Sequence, residues 1–321
     1  MQDASSSIDE SLAGLRRGEW KTQLIAQAEA DGMAQELGEQ HFATFLDRDA
    51  TLIVTFETMQ GIRGMSETHQ PFGFELVRSQ GWSHLCIISD GDTWFRDPKI
   101  YGFFDRLIDD GFFEDFDHVV FYGAGPCGYA AAAFSVASPG ATVVAVQPQA
   151  TLDPRMIEWD DRFTEMRRVS FTDRYGYAPD MMDAANRGFI IYDPAEQLDA
   201  MHASLFQRSN VTRLRMGHMG NALQTRLIEM NLLYRLLTLA GKGKLNSRSF
   251  YKLYRARRAF PPYLKGLLTR LNRSERPYLE MLVCRNVLSR MPLRRHRRRL
   301  KDLEAMAAEG TFAPPPPPRA S

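Results

Sequence analysis

Cys127, Asp193 and His218 follow one another in the order nucleophile, acid, base. A thiol becomes a nucleophile when an imidazole takes its proton and a carboxylate orients that imidazole. Cys127 closes the turn Gly123–Ala124–Gly125–Pro126–Cys127–Gly128, between the apolar run HVVFY (118–122) and the small-residue run YAAAAFSVA (129–137). In the first turn of a helix the backbone dipole lowers a thiol's pKa, and the Gly128 N–H could face an oxyanion. Pro126 suits the first helical position equally well, which makes Cys127 a buried packing residue. Both readings of Cys127 stand. Asp193, in YDP, either orients a base or caps a helix, and His218, in GHMG, either serves a site or fills a packed corner.

Two further loops carry groups suited to a ligand. SDGDTWFRDP (89–98) offers Asp90, Gly91, Asp92 and Trp94, two acids beside an aromatic that could hold a sugar or a basic group. QPQATLDP (147–154) offers Gln147 and Gln149 as neutral hydrogen-bonders. Gly123, Gly125 and Gly128 fit GxGxxG and could cradle a phosphate at a helix N-terminus. A dinucleotide fingerprint also wants an acid after the next strand, and the next strand ends in Gln147–Pro148–Gln149. Cys86, Cys127 and Cys284 form neither a CxxC motif nor a Cys/His cluster with zinc spacing. No metal or cofactor is therefore expected.

Strands and helices must alternate to bring these loops together. TLIVTFE (51–57), HLCIIS (84–89), HVVFY (118–122), ATVVAVQ (141–147) and GFIIY (188–192) read as strands, and Phe74–Val77 as another. Ile100, Phe103, Phe104, Leu107 and Ile108 make one apolar helical stripe after Pro98. Residues 1–48 read as polar helical segments. Helices are expected at Asp160–Arg168 and Ala195–Gln207, and an alternating strand at Val211–Met216. This order implies an α/β fold, a mostly parallel sheet with helices on both faces, followed by an α-helical C-terminal extension. Chemistry in such sheets gathers at the strands' carboxyl ends, where the glycine turn, Asp193 and His218 all fall.

The turn YGAGPCGYAAA (122–132), with AVQPQATLDP (145–154) after it, resembles bacterial α/β-hydrolase-like proteins of the surface-polysaccharide type. That family carries a turn like YGSSMGGYAAL before a strand ending in a phrase like SPQ. The resemblance covers roughly residues 50–235 and implies the triad order nucleophile, acid, histidine. It also implies a link to glycan metabolism and, in the loop at 89–98, a pocket wall and a second oxyanion donor. In its register the nucleophilic serine falls on Gly125. The next residue, whose amide should serve the oxyanion hole, is Pro126, which has no N–H. The serine-hydrolase machinery is thus degenerate, which implies a pseudoenzyme that binds or regulates, or an enzyme rebuilt on Cys127, Asp193 and His218 as a hydrolase or acyltransferase. WSHLCIISDGDTWFRDP and FTDRYGYAPD also resemble chains described as phosphoadenosine phosphosulfate reductases, but the SGG-type loop and Glu-Cys-Gly-type C-terminal segment of that family have no counterpart here.

The 321 residues are 44% hydrophobic and 25% charged, an ordinary globular composition. No apolar run approaches the ~18 residues of a membrane span. The polar start MQDASSSIDE does not read as a signal peptide, so a cytoplasmic location is expected. The net charge of +1 hides a split: residues 1–200 hold 15 Lys+Arg and 33 Asp+Glu, residues 201–321 hold 25 and 6. The expected organisation is an N-terminal helical segment (1–49), the hydrolase-like domain (50–235), a basic helical extension (236–310) and a disordered proline-rich tail (311–321). The basic extension either docks on the acidic front half or meets an anionic partner through Arg294–Arg299. A small-molecule or glycan-derived ligand is expected for the pocket. The sequence leaves the oligomeric state open.

Overall fold

The structure is a computed structural model that describes residues 7–316. The first residues of MQDASSSIDE and the end of the proline run, from Pro317 onward, lie outside the described residues. Two compact units divide the chain, Met1–Tyr251 and Lys252–Ser321.

The first unit is built on one eight-stranded sheet. Its strands are β1 (Gly32–Glu36), β2 (His41–Leu46), β3 (Thr51–Thr58), β4 (Ser83–Ser89), β5 (His118–Ala124), β6 (Thr142–Val146), β7 (Arg187–Tyr192) and β8 (Val211–Arg215). They lie in the order β1-β2-β4-β3-β5-β6-β7-β8. β1 and β2 pair antiparallel, as do β2 and β4, and every other neighbouring pair is parallel. This is the α/β-hydrolase-like arrangement. Every residue of β4 is buried, as a parallel strand covered on both faces requires.

Helices cover both faces. On one side α4 (Pro98–Asp109) and α5 (Pro126–Phe134) bury Phe103, Phe104, Tyr129 and Phe134 against Phe56 and Phe121 of the sheet. On the other, α1 (Arg17–Asp31) and α3 (Gly73–Gln80), with α2 (Met59–Met65), bury Trp20, Leu24, Phe74, Val77, Met59 and Ile62 against Phe42, Cys86 and Ile88. Short helices α6 (Pro154–Ile157) and α7 (Ala178–Met181) punctuate the crossover from β6 to β7, and α8 (Gln197–Leu205) joins β7 to β8. After β8 come α9 (Leu223–Glu229) and α10 (Leu233–Gly241), and α10 packs against β3, β5 and β6. Gly241 leaves room there for Trp82, whose ring would lie 2.3 Å from a Cβ.

Three expectations about elements need correction. Residues 32–36 and 41–46 are strands, not helix: α1 stops at Asp31, and a Cβ at Gly32 would sit 2.2 Å from the Phe45 carbonyl oxygen, so glycine lets the chain turn into the β1–β2 pair. The sheet therefore begins before residue 50. Phe74–Val77 belongs to α3, because Phe74 and Val77 share one helical face and Gly81, at φ +72°, caps the end. Thr164–Arg168 forms only a 3-10 turn within the expected Asp160–Arg168 helix.

α11 (Ser247–Tyr254) spans the boundary between the units. In the second unit α12 (Pro261–Arg273), α13 (Pro277–Leu288) and α14 (Arg294–Ala308) pack around Leu268, Met281, Cys284 and Leu303. Glu280, buried, pairs with Arg299 at 2.6 Å. Among the described residues no helix is long and apolar enough to cross a membrane.

Candidate functional site

The strand-to-helix corner at the end of β5 is shaped by glycine. Gly125 stands at φ +58° and ψ −126°, a left-handed conformation that glycine tolerates and other residues resist. Its amide donates to the Val146 carbonyl at 2.8 Å, and its carbonyl accepts from the Tyr129 amide at 3.0 Å. Pro126 is the first residue of α5. Gly123 is required for closeness, since a Cβ there would lie 2.0 Å from the Cys127 carbonyl oxygen. A Cβ at Gly125 would meet nothing within 4 Å. The corner thus turns as a nucleophile elbow turns, with open space where a nucleophile's side chain would stand. Neither a side chain nor an amide at Pro126 is present to act.

Cys127 lies one step further and is buried. Burial, together with the Glu57 and Asp92 carboxylates, pushes its thiol well above the usual value. Those charges oppose a thiolate. Asp193, at the end of β7, is fully buried. Its Oδ1 accepts from the Ala195 amide at 2.9 Å, and its Oδ2 accepts from the amides of Met219 and Gly220 at 2.7 and 2.8 Å. The carboxylate thereby fixes the loop after β8, in which His218 adopts φ +67°. The glycine turn, Asp193 and His218 all lie at carboxyl ends of sheet strands, on β5, β7 and β8.

The loop at 89–98 follows β4, whereas β3 is the strand beside β5. Asp90 pairs with Arg17, Gly91 takes φ +103°, and Asp92 is exposed. Trp94 is buried, with its ring 5.8 Å from Tyr129 and 4.9 Å from Phe163. It meets Phe163 edge to face.

Phe163 belongs to a cleft of about 320 Å³ at the elbow, lined also by Gly125, Gln147, Gln149, Arg162 and Gln224. Gln149 is 3% exposed, and its Oε1 has no hydrogen-bond partner. Gln147 is committed: its Nε2 donates to Asp199 at 2.6 Å and its Oε1 accepts from the Leu223 amide at 2.8 Å. Arg162 reaches Asp199 at 2.6 Å and Asp160 at 2.8 Å. Beneath it the Asp160 carboxylate accepts from His202 Nε2 at 2.9 Å, and His202 Nδ1 accepts from the Ala150 amide at 3.2 Å. Burial works against the charged form of Asp160, but the bonds from His202 and Arg162 outweigh it and hold the carboxyl below the usual range. Arg162 is held by two acids, one of which, Asp199, also lines the cleft, so the cleft presents amides, an aromatic ring and a carboxylate rather than free positive charge.

Sequence reasoning missed this network, because Asp160 and His202 lie 42 residues apart on separate elements. It missed a second cluster too. Glu57, at the end of β3, accepts from the Thr55 hydroxyl at 2.8 Å, from the Phe72 amide at 3.0 Å and from the Cys86 thiol at 3.5 Å. The Thr55 hydroxyl is also 2.8 Å from His84 Nε2. Burial raises both the Glu57 carboxyl and the Cys86 thiol.

No protein-family model and no curated protein matches the sequence. Similar solved structures include a thermostable carboxylesterase cloned from a metagenomic library, 14% identical over 72% of this chain and 97% of that one, with a TM-score of 0.41. A glycosylation-associated protein complex from Streptococcus agalactiae is 11% identical over 64% of this chain and 46% of that one, with a TM-score of 0.43. The capsule O-acetyltransferase of Neisseria meningitidis serogroup A is 11% identical over 61% and 92%, with a TM-score of 0.39. These are likenesses of fold.

Proposed function

We propose that the protein binds a ligand at its elbow cleft without turning it over. The observation that carries this reading is Gly125, which holds the backbone of a catalytic corner with no side chain to attack and with proline as the following residue. Two facts weigh against a hydrolase or acyltransferase built on Cys127, Asp193 and His218. Burial first, and the Glu57 and Asp92 carboxylates after it, work against a thiolate, and both Asp193 oxygens are engaged by backbone amides. The cleft chemistry favours a neutral, hydroxyl-rich ligand of the glycan-derived kind. Gln149 offers its side-chain amide, Phe163 a ring face, and Arg162 a charge already paired with two acids. A multiply anionic sulfonucleotide finds no cradle there, and Cys284, fully buried in α13, offers no accessible thiol for its reduction.

The test is calorimetric titration of neutral oligosaccharides, with a sulfated set as comparison. We expect binding of a neutral member without product formation. Gln149→Leu should weaken it about tenfold, as loss of one hydrogen bond implies, while leaving the free protein as stable as before because Oε1 has no partner to lose. Turnover of the bound sugar, or binding confined to the sulfated set, would overturn the proposal.

A further inference from the structure

We propose that Glu57, His84 and Cys86 bind a divalent cation of zinc-like chemistry on the sheet face beneath α3. One ligand atom from each, a carboxylate oxygen, an imidazole nitrogen and a sulfur, lies within 4.8 Å of the others. Sheet register brings them together. His84 and Cys86 alternate on β4, opposite Ile53 and Thr55 of β3, and Glu57 follows Thr55 on the same face. Their spacing in sequence carries no zinc motif, so only the parallel pairing of β3 with β4 reveals the group.

The donor set suits zinc or cobalt. Thiolate, imidazole and carboxylate are the ordinary protein ligands of a tetrahedral zinc ion, and three of them leave a fourth position for water or substrate. Two anionic ligands and a neutral imidazole balance a dication, which matters in a buried place. Calcium and magnesium would prefer oxygens alone.

The surroundings supply what such a site needs. The Phe72 amide lies 3.0 Å from each Glu57 oxygen and orients the carboxylate. The Phe74 ring meets the imidazole edge-on at 5.9 Å. Gly73 packs so close that a Cβ there would fall 2.2 Å from His84 Nε2, which fixes the ring's place. Access is open from one side, since Glu57 lines a cavity of about 520 Å³ that also includes Phe72, Gln224 and Tyr234. On binding, the Cys86 S–H bond breaks, a sulfur–metal bond forms, and the proton passes to solvent. The Thr55 hydroxyl, which links Glu57 to His84, then serves as an outer partner of the carboxylate.

Cobalt(II) is the probe, added to the full-length reduced protein. We expect one equivalent to bind with visible d–d bands of a tetrahedral site and a near-ultraviolet thiolate-to-cobalt band, both erased by one equivalent of zinc. Cys86→Ser should abolish the thiolate band, while Cys127→Ser and Cys284→Ser leave it intact. Glu57→Gln should weaken cobalt binding at least about tenfold. X-ray absorption of the zinc-loaded native protein needs no variant to fold, and it should show one sulfur at about 2.3 Å with nitrogen and oxygen at about 2.0–2.1 Å. Absence of a thiolate band from the native protein, its persistence in Cys86→Ser, or a zinc shell without sulfur would overturn the proposal.

Discussion

A side chain at position 125 would have room, because no atom stands within 4 Å of a Cβ built there. It would have to accept the conformation glycine now holds, at a strain of order 1–3 kcal/mol. Room for a hydroxyl is not a hydrolase, since Pro126 has no amide to give and one missing oxyanion donor costs about 3–4 kcal/mol of transition-state stabilisation. Gly125→Ser should therefore fold, melt a few degrees lower, and release no p-nitrophenol from an acetate ester above the native protein's level. Substantial hydrolysis by this single variant would show that another donor replaces the Pro126 amide. Cys127 and Gly125 thus carry opposite lessons. The glycine has space without chemistry, while the thiol has chemistry without space or a favourable field.

The wall beside the elbow depends on contacts between elements. Asp160 in the crossover binds His202 of α8 and Arg162, which in turn binds Asp199 of α8. Because the Asp160 carboxyl is held below its usual range in the fold, its contribution to stability is present above the unfolded value of about 3.9 and is lost as pH falls below it. Asp160→Asn should lower stability at pH 7 by about 1–3 kcal/mol, the scale for hydrogen bonds to a charged group, because Arg162 keeps its pair with Asp199. The gap to the native protein should narrow toward pH 3 in melting curves followed by circular dichroism; a gap that stays constant with pH would contradict this account. Apolar runs made β3, β4, β5, β6 and β7 legible in the sequence, and the glycine turn made the strand-to-helix corner after β5 legible. β1 and β2 escaped because a polar stretch continuous with α1 hides the stop at Gly32. α3 escaped because four apolar-rich residues read alike as strand or helix turn. The Asp160–His202 and Glu57–Cys86 contacts escaped for a different reason. Each is a product of register and crossover, and no spacing along the chain encodes it.

Charge is divided between the two units. Residues 1–251 carry 23 Lys+Arg and 34 Asp+Glu, and residues 252–321 carry 17 and 5. Within α14, Arg294, Arg295, Arg297 and Arg298 are exposed, whereas Arg299 is held by Glu280. We propose that this face meets an anionic partner. Heparin should retain the full-length protein at low salt and release it steeply as salt rises. Reversal of Arg294, Arg297 and Arg298 to glutamate should shift elution to markedly lower salt, and unchanged elution would place the attraction elsewhere. The most direct test of the central claim, that the elbow binds without attacking, is intact-mass analysis of the native protein after incubation with an activated acetate ester. We predict no acyl adduct at Cys127. An adduct there that disappears in both Cys127→Ser and His218→Ala would contradict the claim and establish a working cysteine nucleophile.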